Sequence, residues 1–133
     1  MISCVMSVYD EPTWMIARAV HSLLKQTSQP QEIILVYDNP GNTQLLNFLH
    51  KTICPLSATI KLLINDKNRG LSYALNRGIK EARYDLICRM DADDESLPQR
   101  IVMELEQMRK DVADMVSTQV IVIDEAGNLA TFV

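Results

Sequence analysis

The sequence lacks an excess of basic residues. Thirteen Lys and Arg stand against 17 Asp and Glu, which gives a formal net charge of −4 over 133 residues. This balance argues against nucleic acid as a partner, because nucleic-acid-binding proteins usually present a basic surface. The chain also lacks an apolar run of the ~18 residues that a membrane span needs. Its first segment, MISCVMSVYD, lacks the features of a signal peptide and is interpreted as a first strand.

The sequence also has few cysteines, and it lacks two known phosphate-binding signatures. Cys4, Cys54 and Cys88 are odd in number and far apart, which favours free thiols in a reducing cytoplasm over a disulfide or a zinc site. No G-x-G-x-x-G follows the first strand, so dinucleotide binding of that kind is disfavoured, and the absence of G-x-x-x-x-G-K-[ST] excludes a P-loop. The remaining composition, 47% hydrophobic and 23% charged, predicts one globular domain over residues 1–133.

Apolar runs of strand length alternate along the chain with segments of helical periodicity. Strands are predicted at 2–8, 32–37, 59–65, 84–90 and 114–124, with a hairpin turn at 124–128 into a last short strand. Helices are predicted after Pro12, at about 43–51, at 71–82, and from a capping box of Ser96 and Gln99 to about Val112. This alternation predicts an α/β fold: a mostly parallel open sheet with helices on both faces.

A polar cluster follows each of the first four predicted strands. The clusters read YDE, DNPGN, NDKNRG and DADDE in chain order. In open parallel sheets, ligands bind beyond the carboxyl ends of the strands, where the strand order reverses. Four clusters on one edge therefore predict a binding site there, with the first and fourth strands adjacent.

The acidic cluster contains the best candidates for metal ligands. Asp91 and Asp93 are two positions apart after a buried strand, and carboxylates are ligands that Mg²⁺ and Mn²⁺ use together with phosphate oxygens. A bound cation would offset their mutual repulsion. The alternative is that the acids decorate a helix N-terminus, which fits Asp94 and Glu95 better.

The other clusters supply candidates for nucleotide contacts. Tyr9, Asp10 and Glu11 end the first strand and could flank a base and ribose, although a simple turn before Pro12 explains them equally well. Asp38 follows the second strand and could bind a base or ribose, or could form a turn with its neighbours. In the segment Asn68–Gly70, the glycine would allow backbone to approach a phosphate at a helix N-terminus.

Together, four segments resemble one known family. They are MSVYDE with SLLKQT, EIILVYD, NRGLSYALNRGI and RMDADDESLPQR. Their order and spacing resemble the N-terminal, nucleotide-sugar-binding half of family-two glycosyltransferases. These enzymes have the GT-A fold, a Rossmann-like nucleotide-diphospho-sugar transferase fold. The similarity is strongest to bacterial members that assemble capsule, exopolysaccharide or lipopolysaccharide.

The resemblance implies a role for each candidate. Tyr9, Asp10, Glu11 and Asp38 would surround the base and ribose of a nucleotide-sugar, commonly a UDP-sugar, and the Asn68–Gly70 turn would border the nucleotide. Asp91 would approach the ribose or sugar and share with Asp93 an Mn²⁺ or Mg²⁺ ion at the diphosphate. It also implies inverting transfer to a glycan or lipid-linked acceptor, in the cytoplasm and peripherally at the inner membrane.

The resemblance also implies what the 133 residues do not contain. The family's acceptor-binding half and catalytic base would lie beyond Val133, so the chain is expected to be a truncated form that does not transfer sugar by itself. Two rival functions stay open: a nucleotidyltransferase, and a non-catalytic nucleotide-binding module on the same fold. YDEPTW is unlike the Gly- and Arg/Lys-rich loop of the first, and intact Asp91 and Asp93 argue against the second.

Overall fold

The computed structural model describes the backbone of residues 1–132 and the side chains of residues 1–130. The strands are β1 Ile2–Val8, β2 Glu32–Tyr37, β3 Ile60–Ile64, β4 Leu86–Asp91, β5 Ile121–Ile123 and β6 Leu129–Phe132. The helices are α1 Thr13–Leu24, α2 Thr43–Phe48, α3 Leu71–Glu81 and α4 Arg100–Asp111. A π-helical turn over Leu49–Ile53 and a 3₁₀ turn over Cys54–Leu56 continue α2, so this helical segment runs beyond the predicted end at residue 51.

Four parallel strands form the main sheet in the order β3-β2-β1-β4. The chain builds outward from β1 through β2 to β3, and then returns to the other side of β1 to form β4. The strand order therefore reverses between β1 and β4, which creates a switch point between their carboxyl ends. The predicted parallel sheet and the adjacency of the first and fourth strands are both confirmed.

Helices cover both faces of this sheet, as predicted. One face packs against α1, the α2 segment and α4, and holds the larger core cluster, including Met6, Ile16, Leu35 and Ile101. The other face packs against α3 through a smaller cluster of Val5, Ile34, Val36 and Ala74. The inner strands β1 and β2 are buried on both faces, which explains their continuous apolar sequence.

Gly78 allows α3 to lie close to the sheet. A Cβ atom at this position would collide with Val5 Cγ1 and lie 3.1 Å from Val36 Cγ2. The predicted role of this glycine, tight packing of the helix on the sheet, is confirmed. The close approach matters for the site because α3 begins at its edge.

The predicted extent of the fifth strand, residues 114–124, is wrong. Only Ile121–Ile123 forms a strand, and it pairs antiparallel with β6 in a separate two-stranded sheet. Residues 114–120, which contain the polar run Ser-Thr-Gln, are mostly exposed and form no strand. The predicted hairpin turn is confirmed: the Gly127 N–H donates to the Asp124 carbonyl at 2.9 Å, and Gly127 has a φ of +86°.

The predicted capping box at the start of α4 is also wrong. The helix begins at Arg100, and the preceding Gln99 makes no side-chain capping bond. The Ile101 N–H instead donates to Oε1 of Gln26, which comes from the end of α1, at 3.1 Å. Because no acidic residue lies in the first turn of α4, the acidic cluster does not decorate a helix N-terminus.

The three thiols are free, as predicted. Cys4 and Cys88 are buried opposite each other in the register of β1 and β4, and Cys54 is half-buried. The neighbouring Cys88 thiol, together with burial, raises the pKa of Cys4 well above its usual value.

Among the described residues, none of the helices has the length and apolar character needed to cross a membrane.

Candidate functional site

The carboxyl edge of the main sheet encloses an open crevice of about 390 Å³. It lies at the switch point between β1 and β4, beside the loop that joins β3 to α3. The lining residues are Ser7, Tyr9, Glu11, Asp38, Asn68, Gly70, Leu71, Arg89, Asp91, Ala92 and Asp93. The structure thus brings together every predicted site residue except Asp10.

The turn after β1 contributes an exposed aromatic ring to the crevice. Tyr9 is 46% exposed, and its backbone N–H donates to Glu11 Oε2 at 2.8 Å. This local bond holds the turn, and it leaves the tyrosine ring accessible to a ligand. Asp10 does not line the crevice, and its Oδ1 accepts a hydrogen bond from Asn42 Nδ2 at 3.3 Å.

Asp38 follows β2 and is only 2% exposed, although it contributes to the crevice wall. Its Oδ1 accepts from Asn65 Nδ2 at 2.5 Å and from the Arg69 N–H at 2.9 Å, and its Oδ2 accepts from the Gly70 N–H at 2.8 Å. A carboxylate offers about four acceptor positions. Asp38 therefore uses three of these positions to hold the β3–α3 loop, and one position remains.

The β3–α3 loop forms the second wall of the crevice. Gly70 has a φ of +89°, a backbone conformation that favours glycine, and its N–H also lies 3.1 Å from Asn68 Oδ1. The side chain of Arg69 is engaged elsewhere, because it forms a two-bond ion pair with Asp66 at 3.0 and 2.8 Å. This ion pair lowers the pKa of Asp66.

The acidic segment after β4 forms the third wall. Arg89 Nη2 lies 2.6 Å from Asp91 Oδ1 and offsets part of the negative charge. Asp93 is exposed and lines the crevice. Burial, followed by the charges of Asp93 and Asp91, raises the pKa of Asp94, so the like-charge repulsion expected from the sequence is present in the fold.

The donor set fits a divalent cation that is shared with a diphosphate. Within residues 1–132, no group of three or more His, Cys, Asp or Glu side chains could hold a metal ion alone. Mg²⁺ and Mn²⁺ sites of this kind usually take one or two carboxylates, with phosphate oxygens and water completing the shell. Asp91 and Asp93 both line the crevice and would supply those two carboxylates.

A buried amide that the sequence did not single out anchors the acidic segment. Gln26 is 3% exposed, and its Nε2 lies within hydrogen-bond distance of Ser96 O, Ser96 Oγ and Leu97 O, at 3.3, 3.2 and 2.7 Å. The Ser96 N–H donates to Ser22 Oγ at 2.9 Å. The end of α1 therefore fixes the chain three residues after Asp93. Both anchors lie in SLLKQT: Ser22 occupies a buried position of α1, and Gln26 lies two residues after the end of that helix.

Comparison with known proteins identifies the family. The model of the family described as "Glycosyl transferase family 2" matches residues 3–132. The chain belongs to glycosyl transferase family 2. The resemblance inferred from the four segments is therefore confirmed. The family-two chain also shares the GT-A architecture of a solved enzyme: a crystal structure of GalNAc-T7 with UDP, GalNAc and Mn²⁺ matches with a TM-score of 0.74 and 25% identity. That match covers 83% of this chain and 21% of GalNAc-T7.

Two curated relatives are similar to the family-two chain in sequence. The amylovoran biosynthesis glycosyltransferase AmsE of Erwinia amylovora is 33% identical over 136 residues, covering 96% of this chain and 48% of AmsE. The UDP-Gal:alpha-D-GlcNAc-diphosphoundecaprenol beta-1,3-galactosyltransferase of Escherichia coli is 32% identical over 110 residues, covering 81% of this chain and 39% of that enzyme. The chain thus spans less than half the length of each.

Proposed function

We propose that residues 1–133 bind the nucleotide-sugar donor of a glycosyltransferase. The observation that carries this proposal is the convergence of three walls on one crevice: the Tyr9–Glu11 turn, the Asn68–Leu71 segment and the Asp91–Asp93 segment. An aromatic ring, a backbone turn and two carboxylates are the groups that a base, a phosphate chain and its counter-cation require. Family membership and the GT-A architecture support the same function.

We propose uracil as the base, placed against Tyr9 and Asp38. The exposed ring of Tyr9 offers a stacking surface. The one acceptor position left on Asp38 fits a single N–H donor, such as N3–H of uracil. The names of the E. coli relative and of the GalNAc-T7 crystal structure both mention UDP, which supports this choice.

We further propose that Asp91 and Asp93 hold Mn²⁺ or Mg²⁺ at the diphosphate. A cation bound there would supply charge neutralisation for the departing nucleoside diphosphate. Arg89 Nη2 lies 2.6 Å from Asp91 Oδ1, so this ion pair occupies one oxygen of the Asp91 carboxylate. Asp93 takes part in none of the ion pairs among the described residues, so its carboxylate oxygens are available to a ligand.

The names of the relatives support a proposal for the acceptor and the setting of the whole enzyme. Their names refer to amylovoran biosynthesis and to a diphosphoundecaprenol substrate. We therefore propose inverting transfer to a glycan or lipid-linked acceptor, by a cytoplasmic protein that associates peripherally with the inner membrane. We propose these properties for the whole enzyme, in which residues 1–133 would supply the donor site.

A thermal-shift panel tests donor binding. We expect UDP with Mn²⁺ to raise the melting temperature of residues 1–133 more than ADP, GDP or CMP does, because a ligand that binds only the folded state stabilises it by mass action. Without Mn²⁺, the UDP shift should be much smaller. A folded protein whose melting temperature responds to none of these nucleotides would contradict the proposal.

Residues 1–133 are expected to bind donor without transferring sugar. Asp124 and Glu125 are acids at the β5–β6 turn, outside the residues that line the crevice. The carboxylate of Asp124 accepts the Asn128 N–H at 2.8 Å and Nδ2 at 3.1 Å, which holds the hairpin. Transfer needs a general base within hydrogen-bond reach of the acceptor hydroxyl. Incubation with UDP-sugars, Mn²⁺ and membrane extract should give no product, and turnover equal to that of a full-length relative would refute this.

A further inference from the structure

We propose that Asn65 and Arg77, neither of which lines the crevice, are positioning residues that set nucleotide affinity through Asp38. Arg77 Nη1 donates to Asn65 Oδ1 at 2.6 Å, and Asn65 Nδ2 donates to Asp38 Oδ1 at 2.5 Å. Asp38 in turn accepts the backbone N–H groups of Arg69 and Gly70. The inference rests on the proposed function, because it concerns the same nucleotide site.

The direction of this chain of hydrogen bonds is fixed by what each group can do. A guanidinium can only donate, and a carboxylate can only accept. The amide of Asn65 lies between the two, so its oxygen must face Arg77 and its nitrogen must face Asp38. The Asp38 carboxylate also selects this orientation, because a flipped amide would place the Asn65 oxygen against it. Loss of Arg77 would therefore leave Oδ1 of Asn65 in place but without its charged donor.

The hydrogen bonds from Arg77 through Asn65 to Asp38, called the relay below, involve buried groups, so the loss of one donor should weaken the whole set. Asn65 and Asp38 are each 2% exposed, so water cannot readily replace a missing donor. Arg77 is half-buried on α3, and its Nη1 also donates to the carbonyl of Ile64 at 2.7 Å, which ties α3 to the end of β3. The relay thus connects two residues outside the crevice, Asn65 and Arg77, to the loop segment Arg69–Gly70 in its wall.

The test compares charge removal at two positions of α3. Arg77→Met keeps the apolar stem but removes the donor, Arg77→Lys keeps a donor, and Lys80→Met removes an exposed charge from the same helix. Circular dichroism should first show that each variant is folded. At saturating Mn²⁺, we then expect Arg77→Met to weaken UDP affinity about 10-fold, which is typical for the loss of a residue that orients a ligand-binding group. Arg77→Lys should recover most of that loss, and Lys80→Met should bind like the unmodified protein.

Amide hydrogen exchange provides a readout that requires no nucleotide. The N–H groups of Arg69 and Gly70 should exchange faster in Arg77→Met than in the unmodified protein, while amides in the middle of β1 keep their rates. Unchanged exchange at these two amides, or equal losses of affinity in Arg77→Met and Lys80→Met, would overturn the inference. If the unmodified protein does not bind UDP at all, the proposed function fails, whereas the exchange result still decides whether the relay positions the loop.

Discussion

Asp93→Ala is expected to weaken the affinity of the protein for UDP in the presence of Mn²⁺ by about 100-fold. Mg²⁺ and Mn²⁺ at such sites hold few protein ligands, so the removal of one carboxylate takes away a large share of the metal's protein contacts. Isothermal calorimetry at saturating Mn²⁺ would measure the change. In the absence of metal, the variant and the unmodified protein should bind UDP equally weakly.

Glu95→Ala is the matched control for this prediction. Glu95 belongs to the same acidic cluster and is also exposed, but it does not line the crevice and pairs loosely with Arg18 at 3.8 Å. Its removal should change UDP affinity less than about 2-fold, since exposed pairs contribute little. If the two variants lose affinity equally, the effect is one of overall charge. If neither loses affinity, Asp93 is a solvated surface residue.

Gln26→Leu is expected to lower the free energy of unfolding by about 3 kcal/mol. The side chains are similar in volume, but leucine cannot accept the Ile101 N–H or donate to the Ser96 and Leu97 carbonyls, which Gln26 contacts in a buried environment. Each buried polar group left without a partner costs roughly 1–3 kcal/mol. Urea denaturation followed by circular dichroism would measure the loss.

Gln29→Leu provides the comparison for Gln26. Gln29 is exposed, and its Nε2 donates to the Leu24 carbonyl at 2.7 Å. Water can replace that bond, so the free energy of unfolding should fall by no more than about 0.5 kcal/mol. Similar losses for both variants would show that the buried amide contributes nothing beyond an ordinary surface hydrogen bond.

The main sheet was predictable because its signals are local and redundant. Continuous apolar runs, such as those of β1 and β2, require burial on both faces, and a parallel sheet covered by helices supplies it. The segment after α4 carried a weaker signal. Its apolar residues are interrupted by Ser-Thr-Gln, and only Ile121–Ile123 finds a strand partner. Strand pairing there depends on β6 rather than on the sequence of the segment itself.

The positions of the site residues were predictable to the level of the sheet edge, but their partners were not. Tyr9, Asp38 and Asp93 each follow a strand end, so the sequence predicted that they would lie at one edge of the sheet, and all three line the crevice. The engagement of Asp38 by Asn65, and the capping of α4 by Gln26, depend on contacts 27 and 75 positions apart in the chain. No local pattern encodes such pairs, and the Ser96–Gln99 spacing even suggested a different cap.

The most direct test of the donor site is an NMR titration of ¹⁵N-labelled protein with UDP and Mg²⁺, which is diamagnetic and preserves the signals. The largest chemical-shift changes should fall on the amides of Tyr9–Glu11, Asn68–Leu71 and Ala92–Asp93, the three walls of the crevice, and should require the metal. Changes confined to the groove between β4 and α4 near Leu86 and Met108, or no changes at all, would contradict the account.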